Sequence, residues 1–297
     1  MKPKVFGIGE LLWDLLPAGR QLGGAPANFA YHASALGAEV GLISRVGNDP
    51  LGHEALDRIR HLGVSTDGIE VDEAKPTGTV SVDLAPDGQP LFVIHEHVAW
   101  DHLSGDTNTA RSLSNSDALC FGTLGQRSEP SRSTIQALVA SSPPSSLRIF
   151  DINLRQQFYS PQGIVESLSL CNFLKVNESE LPVLSKLFQL TGDDRSRIAT
   201  LVSRFQLKGA AFTLGARGSL VYFAGDWSEV AAREVRVTDT IGAGDAFTAA
   251  LALGLLSGWP LQKAHHQANA IAAHVCSCPG ATPPIPATLR DPYFHES

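Results

Sequence analysis

The sequence lacks the marks of several broad protein classes. Its four cysteines, Cys120, Cys171, Cys276 and Cys278, form no CxxC pair. A disulfide framework or structural zinc site is therefore not expected, and the thiols read as reduced small hydrophobes. No run of lysine or arginine forms a basic stripe, and the formal net charge is −7, which argues against sequence-independent binding to nucleic acid. The longest nearly continuous apolar stretch, Ala246 to Leu256, falls well short of the roughly 20 residues that cross a bilayer. The opening segment Met1 to Glu10 has too short an apolar part for a secretory signal. The expectation is a cytoplasmic protein with neither nucleic acid nor membrane as partner. What the 297 residues do have is 43% hydrophobic and 18% charged side chains, enough to bury a sizeable core.

Short apolar runs of strand character alternate with helical patterns. The strands are expected at Lys4–Gly9, Val40–Ser44, Ala118–Phe121, Leu147–Ile152, Phe173–Val176 and Gly209–Leu214. The helices are expected at Pro26–Leu36, Leu51–Leu62, Ser131–Val139, Glu178–Phe188 and Arg195–Phe205. This order predicts an α/β protein, a mostly parallel central sheet with helices on both faces. Pro26 and Pro50 stand where helices begin, and Asn48-Asp49 can cap the second. One stretch breaks the rhythm. Thr77–Leu84 and Gln89–His95 read as two antiparallel strands around the turn Ala85-Pro86-Asp87-Gly88. Val80, Val82 and Leu84 alternate with Thr79, Ser81 and Asp83, as a sheet with one wet face requires. Such an insertion serves as a lid or dimer surface, or is a plain surface hairpin. Ser141 to Ser146 reads as a loop rather than a linker, so 1–297 is expected to be one domain.

The segment richest in chemistry is Asp239-Thr240-Ile241-Gly242-Ala243-Gly244-Asp245, followed by an apolar helical run. Two glycines end a polar loop where a helix begins, so several backbone N–H groups can point at one anion. Asp245 then falls in the first turn, placed to take a proton from an attacking hydroxyl. An aspartate carboxyl ordinarily titrates at about 3.9, which makes it a weak base for an alcohol. In phosphoryl transfer, however, the carboxylate chiefly orients the hydroxyl and accepts its proton late. The alternative is a glycine-rich turn with an ordinary first-turn Asp. Gly242-x-Gly244 lacks the third glycine of a dinucleotide fingerprint, and no Walker A loop is present. Near the other end, Gly23-Gly24-Ala25-Pro26-Ala27-Asn28 again leads glycines into a helix. Asn28 and the upstream Asp14 offer donors and acceptors suited to sugar hydroxyls, or are ordinary cap and turn residues.

From about residue 4 to 286 the chain resembles the ribokinase-like (PfkB) family of carbohydrate kinases. Gly23-Gly24 through Asn28, Gly37 and Gly47 is similar to the family's N-terminal motif, and Asp239 to Asp245 to its C-terminal one. The resemblance implies a three-layer α/β sandwich with a small β lid formed by about 11–20 and 77–100. It implies Asp245 as catalytic base, the backbone of Gly242, Ala243, Gly244 and Asp245 as anion hole, and Asp14, Gly24 and Asn28 as sugar contacts. Asn177-Glu178-Ser179-Glu180 resembles the Asn-x-x-Glu segment, with Asn177 near the nucleotide and Glu180 arranging Mg²⁺ through water. Thr213, Gly215 and Gly218 fall in a loop similar to the nucleotide loop, and Asn269 resembles a residue beside adenine. Asp239 and the carbonyls of Ile241, Val275, Cys278 and Gly280 fall where relatives hold a monovalent cation such as K⁺. Pro284 departs from that pattern, standing where ribokinases often have a serine ligand.

Gly9 to Asp14 and His97 to Asp101 are similar to segments of fructokinase-like members. Asp151-Ile152-Asn153-Leu154-Arg155 resembles a motif shared by fructokinases and 2-keto-3-deoxygluconate kinases. Asn153 and Arg155 are therefore expected at the substrate, and Trp100 either stacks on the sugar ring or fills the underside of the lid. The expected activity is ATP-dependent phosphorylation of a small sugar, fructose first. The alternatives are 2-keto-3-deoxygluconate kinase, ribokinase, nucleoside kinase and, from another class, a non-catalytic sugar or nucleotide sensor. Pairing of lid strands between two subunits would give a homodimer.

Overall fold

A computed structural model describes residues 2–16, 19–84, 90–105 and 107–294. The strands of the N-terminal part are β1 (Lys4–Ile8), β2 (Leu12–Leu16), β3 (Gly19–Gly23), β4 (Glu39–Gly47), β5 (Ile69–Asp72), β6 (Gly78–Leu84) and β7 (Pro90–Ile94). Then come β8 (Ala118–Phe121), β9 (Leu147–Asp151), β10 (Phe173–Asn177), β11 (Gly209–Thr213), β12 (Ser219–Phe223) and β13 (Asp226–Val230). The helices are α1 (Ala25–Ala35), α2 (Pro50–His61), α3 (Thr107–Leu113), α4 (Glu129–Ser141) and α5 (Pro161–Leu170). They continue with α6 (Leu181–Phe188), α7 (Asp194–Arg204), α8 (Ala243–Leu256), α9 (Leu261–Cys276) and α10 (Ala287–Arg290).

Among the described residues nine strands form one sheet in the order β13-β12-β11-β10-β9-β8-β1-β4-β5. Every pairing from β5 across to β11 is parallel, and only the hairpins β11–β12 and β12–β13 are antiparallel. Parallel strands are covered on both faces, which explains their continuous apolar runs. Val5, Cys120, Ile149 and Phe173 pack with α1, α2, α8 and α9. Phe6, Ile8, Phe121, Phe150 and Leu174 face the opposite way, against α4, α5, α6 and α7. Successive side chains thus supply two separate cores, the three-layer sandwich expected from the alternation. Among the described residues no helix is long and apolar enough to cross a membrane.

The smaller sheet runs β3-β2-β6-β7. The expected hairpin is present as β6 and β7, antiparallel, while its turn at Ala85 to Gly88 lies outside the described residues. The insertion is not purely antiparallel, however. β6 joins β2 in parallel, with Asp14 opposite Val80, and β2 pairs with β3 in antiparallel fashion. The β2–β6 pairing joins distant segments, so no local alternation announced it. Leu12, Val80, Ile94, Val98, Trp100, Leu124 and Phe158 form a third apolar cluster beneath this sheet.

Some boundaries moved for local reasons. The helix expected from Glu178 begins at Leu181, because Asn177 Oδ1 accepts from the N–H groups of Ser179 and Glu180 at 2.9 and 3.1 Å. That Asx turn uses the backbone otherwise than a helix would. Helix α4 begins earlier than expected, at Glu129, with Pro130 in its first turn. Asp49 caps α2 as anticipated, accepting from Gly52 N–H at 2.8 Å.

Candidate active site

The two glycine-led helices meet. Gly24 (φ 110°) precedes α1 and Gly242 (φ 76°) precedes α8, both in the left-handed region that favours glycine. A Cβ on Gly242 would also lie 2.5 Å from Ala281 O. Helices α1 and α8 pack together, and Asn28 Nδ2, in the first turn of α1, donates to Asp245 Oδ2 at 2.8 Å. N–H groups in a helix's first turn have no carbonyl within the helix to bond. Ala243 N–H donates instead to Thr240 O at 3.3 Å, which leaves those of Gly244 and Asp245 suited to an anion beside the Asp245 carboxylate.

Burial, then the neighbouring charge of Asp151, pushes the Asp245 carboxyl up from 3.8 to about 6. The Asn28 hydrogen bond and the positive charges of Lys175 and Arg155 oppose that rise. Lys175 Nζ lies 3.0 Å from Asp151 Oδ1, both side chains nearly inaccessible. Burial would favour a neutral Lys175, but Asp151, Glu180 and Asp245 together keep it protonated. Thr248 Oγ1 lies within reach of both Asp151 Oδ2 (3.2 Å) and Gly244 O (2.9 Å). Glu10, at the end of β1, accepts from Ala25 N–H at 3.2 Å, and burial raises it to about 7. Asp14 is also raised by burial, with Arg155 acting the other way. Asn153, at positive φ, and the exposed Arg155 follow the end of β9, and the Arg155 charge acts on both Asp14 and Asp245.

On the other side, Asn177 ends β10 and Glu180 follows it. Glu180 is 2% exposed and accepts from Asn177 N–H at 2.8 Å and Leu154 N–H at 3.0 Å. Glu178 N–H donates to Thr213 O at 3.0 Å, which joins this turn to the loop from Thr213 to Gly218. Gly215 and Gly218 are both at positive φ there. Asn269 lies on α9, buried, and Ser219 Oγ ties it to the strand after that loop at 2.8 Å. His265 bridges Ser219 and Ser228 at 2.7 Å each, and burial holds it neutral by lowering it to about 4. Glu180 and Asn269 are both enclosed.

The segments expected around a monovalent cation are also adjacent. Asp239 accepts from Ile241 N–H at 3.0 Å and from Gly280 N–H at 3.2 Å. Thr238 and Asp239 N–H donate to Cys276 O, while Val275 O accepts from Cys278 N–H. The carbonyl of Val275 therefore already accepts one helix-end hydrogen bond and has one lone pair left.

Of the two places expected for Trp100, on the sugar ring or beneath the lid, the structure matches the second. Trp100 is 1% exposed, with the Arg127 guanidinium 3.9 Å from its ring centroid. Arg127 also sits over Phe158 at 4.8 Å and contacts both Asp101 oxygens, at 2.7 and 2.8 Å. Trp100 thus fills the underside of the small sheet. Sequence reasoning gave no individual role to Asp151, Lys175, Glu10 or Thr248. One signal was readable: Lys175 is the single charge within the apolar strand Phe173-Leu174-Lys175-Val176-Asn177.

Fold and site together describe an α/β protein in which a helix start with N–H groups suited to an anion adjoins a carboxylate. Residues 18–288 match the profile described as pfkB family carbohydrate kinase, and the chain belongs to that family. It is 34% identical over 266 residues to a fructokinase of Klebsiella pneumoniae, covering 86% of this chain and 85% of that one. A solved structure of the uncharacterized sugar kinase PH1459 from Pyrococcus horikoshii, in complex with ATP, superposes with a TM-score of 0.78 at 31% identity, covering 94% of each chain. A fructokinase from Vibrio cholerae O395, in its fructose, ADP and calcium ion bound form, superposes with a TM-score of 0.81 at 25% identity, covering 97% of this chain and 98% of that one.

Proposed function

We propose that this chain transfers the γ-phosphoryl group of ATP to a primary hydroxyl of fructose, with Asp245 as the base. The carrying observation is the 2.8 Å hydrogen bond from Asn28 to Asp245, which joins the two glycine-led motifs. A hydroxyl held by Asp14, Gly24 and Asn28 stands beside the carboxylate that takes its proton. The N–H groups of the Gly242–Asp245 turn face the phosphoryl group as negative charge shifts onto its oxygens. Asn177, Thr213, Gly215, Gly218 and Asn269 hold the nucleotide.

Glu180 fits an outer-sphere role toward Mg²⁺. Both its oxygens already accept a backbone N–H, yet each retains a lone pair for a water. Bound there, Mg²⁺ would neutralise charge on the phosphates. A monovalent cation would rest near Asp239, Ile241, Cys278 and Gly280, with the Val275 carbonyl the weakest candidate. The relatives support fructose over a sugar acid, and so does charge. Arg155 already faces Asp14, Glu10 and Asp245, so a substrate carboxylate would meet a surplus of negative groups. In a homodimer the small sheets of two copies would pair, and sedimentation at several concentrations tests that assembly.

An ADP-coupled assay over fructose, ribose, 2-keto-3-deoxygluconate and adenosine tests the activity. Fructose is expected to give the highest kcat/KM. Another acceptor turning over faster would reassign the substrate. Tight sugar or nucleotide binding without ADP from any acceptor would favour a sensor.

A further inference from the structure

The buried pair Asp151–Lys175 is not explained by packing alone. It lies at the end of the β9–β10 ladder, where Lys175 is registered opposite Asp151. Side chains registered in this way share a face of the sheet. Here that face also carries Ile149 and Phe173, and it looks toward α8. Asp151 Oδ2 meets Thr248 Oγ1, one turn after Gly244. A Cβ built on Gly244 would lie 3.1 Å from Lys175 Nζ. An ammonium and a carboxylate therefore sit directly behind the first turn that bears Asp245.

We propose that Asp151 and Lys175 are positioning residues for Asp245: together they brace the first turn of α8, and their opposite charges set the electrostatic balance at the base. This inference rests on Asp245 being the base. Burial of a bare carboxylate and a bare ammonium is costly, and breaking such a pair is worse than omitting it. Both stand beside a third ionisable group, where each acts on it with opposite sign. The charged and titratable groups around Asp245 are Glu10 after β1, Cys120 on β8, Asp151 and Arg155 at the end of β9, and Lys175 on β10. Of these, only Asp151 and Lys175 are ion-paired with each other and also contact the first turns of α8.

The sign of each effect is fixed by charge. Without the negative Asp151, Asp245 holds its proton less tightly. Without the positive Lys175, it holds the proton more tightly. A purely structural pair would not move the titration in opposite directions.

The test is a titration of Asp245 in the full chain, free of ligands, by ¹³C NMR with aspartate labelled at Cγ. The Asp245 signal is assigned by its loss in Asp245→Asn. Its midpoint in the unsubstituted protein is expected at about 6. Asp151→Asn should move it down by about one pH unit, and Lys175→Met up by about one. The double replacement Asp151→Asn with Lys175→Met should return it close to the starting value. Lys175→Met leaves Asp151 without its counterion, and if that variant does not fold, Asp151→Asn and the double variant carry the test. A midpoint unmoved or raised in Asp151→Asn, or shifts of the same sign in both single variants, would overturn the proposal. The titration needs no acceptor. Absence of ADP from MgATP with any of the four acceptors would refute the kinase reading alone, whereas failure of these shifts refutes the role of the pair alone.

Discussion

Replacing Asp245 by Asn removes one carboxylate and little else. The new side chain keeps an oxygen for the Asn28 donor, which lies 2.8 Å from Asp245 Oδ2. A positioned base contributes about 10²–10⁴ in rate, so kcat is expected to fall by about a thousandfold, or ~4 kcal/mol of barrier. Nucleotide affinity should change little, because the first-turn amides remain. Unsubstituted enzyme should lose kcat/KM as pH falls through about 6, where the base becomes protonated. The same carboxyl makes a second, independent prediction. Burial and Asp151 raise it from 3.8 to about 6 in the folded protein. A raised carboxyl favours the fold only while protonated, and this contribution is lost as pH rises from the unfolded value through about 6. The ionised group then costs the fold on the order of 3 kcal/mol at neutral pH. Asp245→Asn should therefore unfold at a higher temperature than the parent at pH 8 and at a similar one at pH 4. Steady-state assay with MgATP and fructose, together with thermal unfolding across that range, checks both. Turnover within about tenfold of the parent would refute the base assignment, and lower stability at pH 8 would refute the electrostatic account.

Three further outcomes follow from single side chains. Gly242→Ala puts a methyl 2.5 Å from Ala281 O at φ 76°; backbone strain of about 1–3 kcal/mol should lower both kcat and the urea midpoint. Asn28→Ala deletes a hydrogen bond that favours the ionised base, so the acid limb of kcat/KM should move to higher pH while the KM for sugar rises. Arg127→Met leaves Asp101 buried without its bidentate partner, which should cost about 3–5 kcal/mol in urea unfolding, with the Trp100 fluorescence changed in the native state.

Much of this protein was legible in contiguous residues. The strand and helix alternation, Asp49 as a cap, and glycines leading into α1 and α8 are local events. Each is set by steric freedom or hydrogen bonds within a few residues, so the fold class and the Asp245 motif could be read directly. The resemblance then paired that motif with Asn28, and the hydrogen bond between them carries the pairing into geometry. Glu180 and Asn269 also entered by resemblance, since nothing near them in sequence announces their burial.

Other features depend on partners far away in the chain. Lys175 meets Asp151 because β10 and β9 align in one register. The small sheet exists as four strands because β2 pairs with β6 across more than sixty intervening positions. Arg127 covers Trp100 only once the chain has brought a distant turn beneath that sheet. The sequence by itself determined where α1, α2 and α8 start, which loop can hold an anion and which carboxylate stands beside it. Tertiary structure alone decided how strongly that carboxylate holds its proton. The affinity depends on desolvation and on charges from separate strands, neither of which any local run of residues encodes.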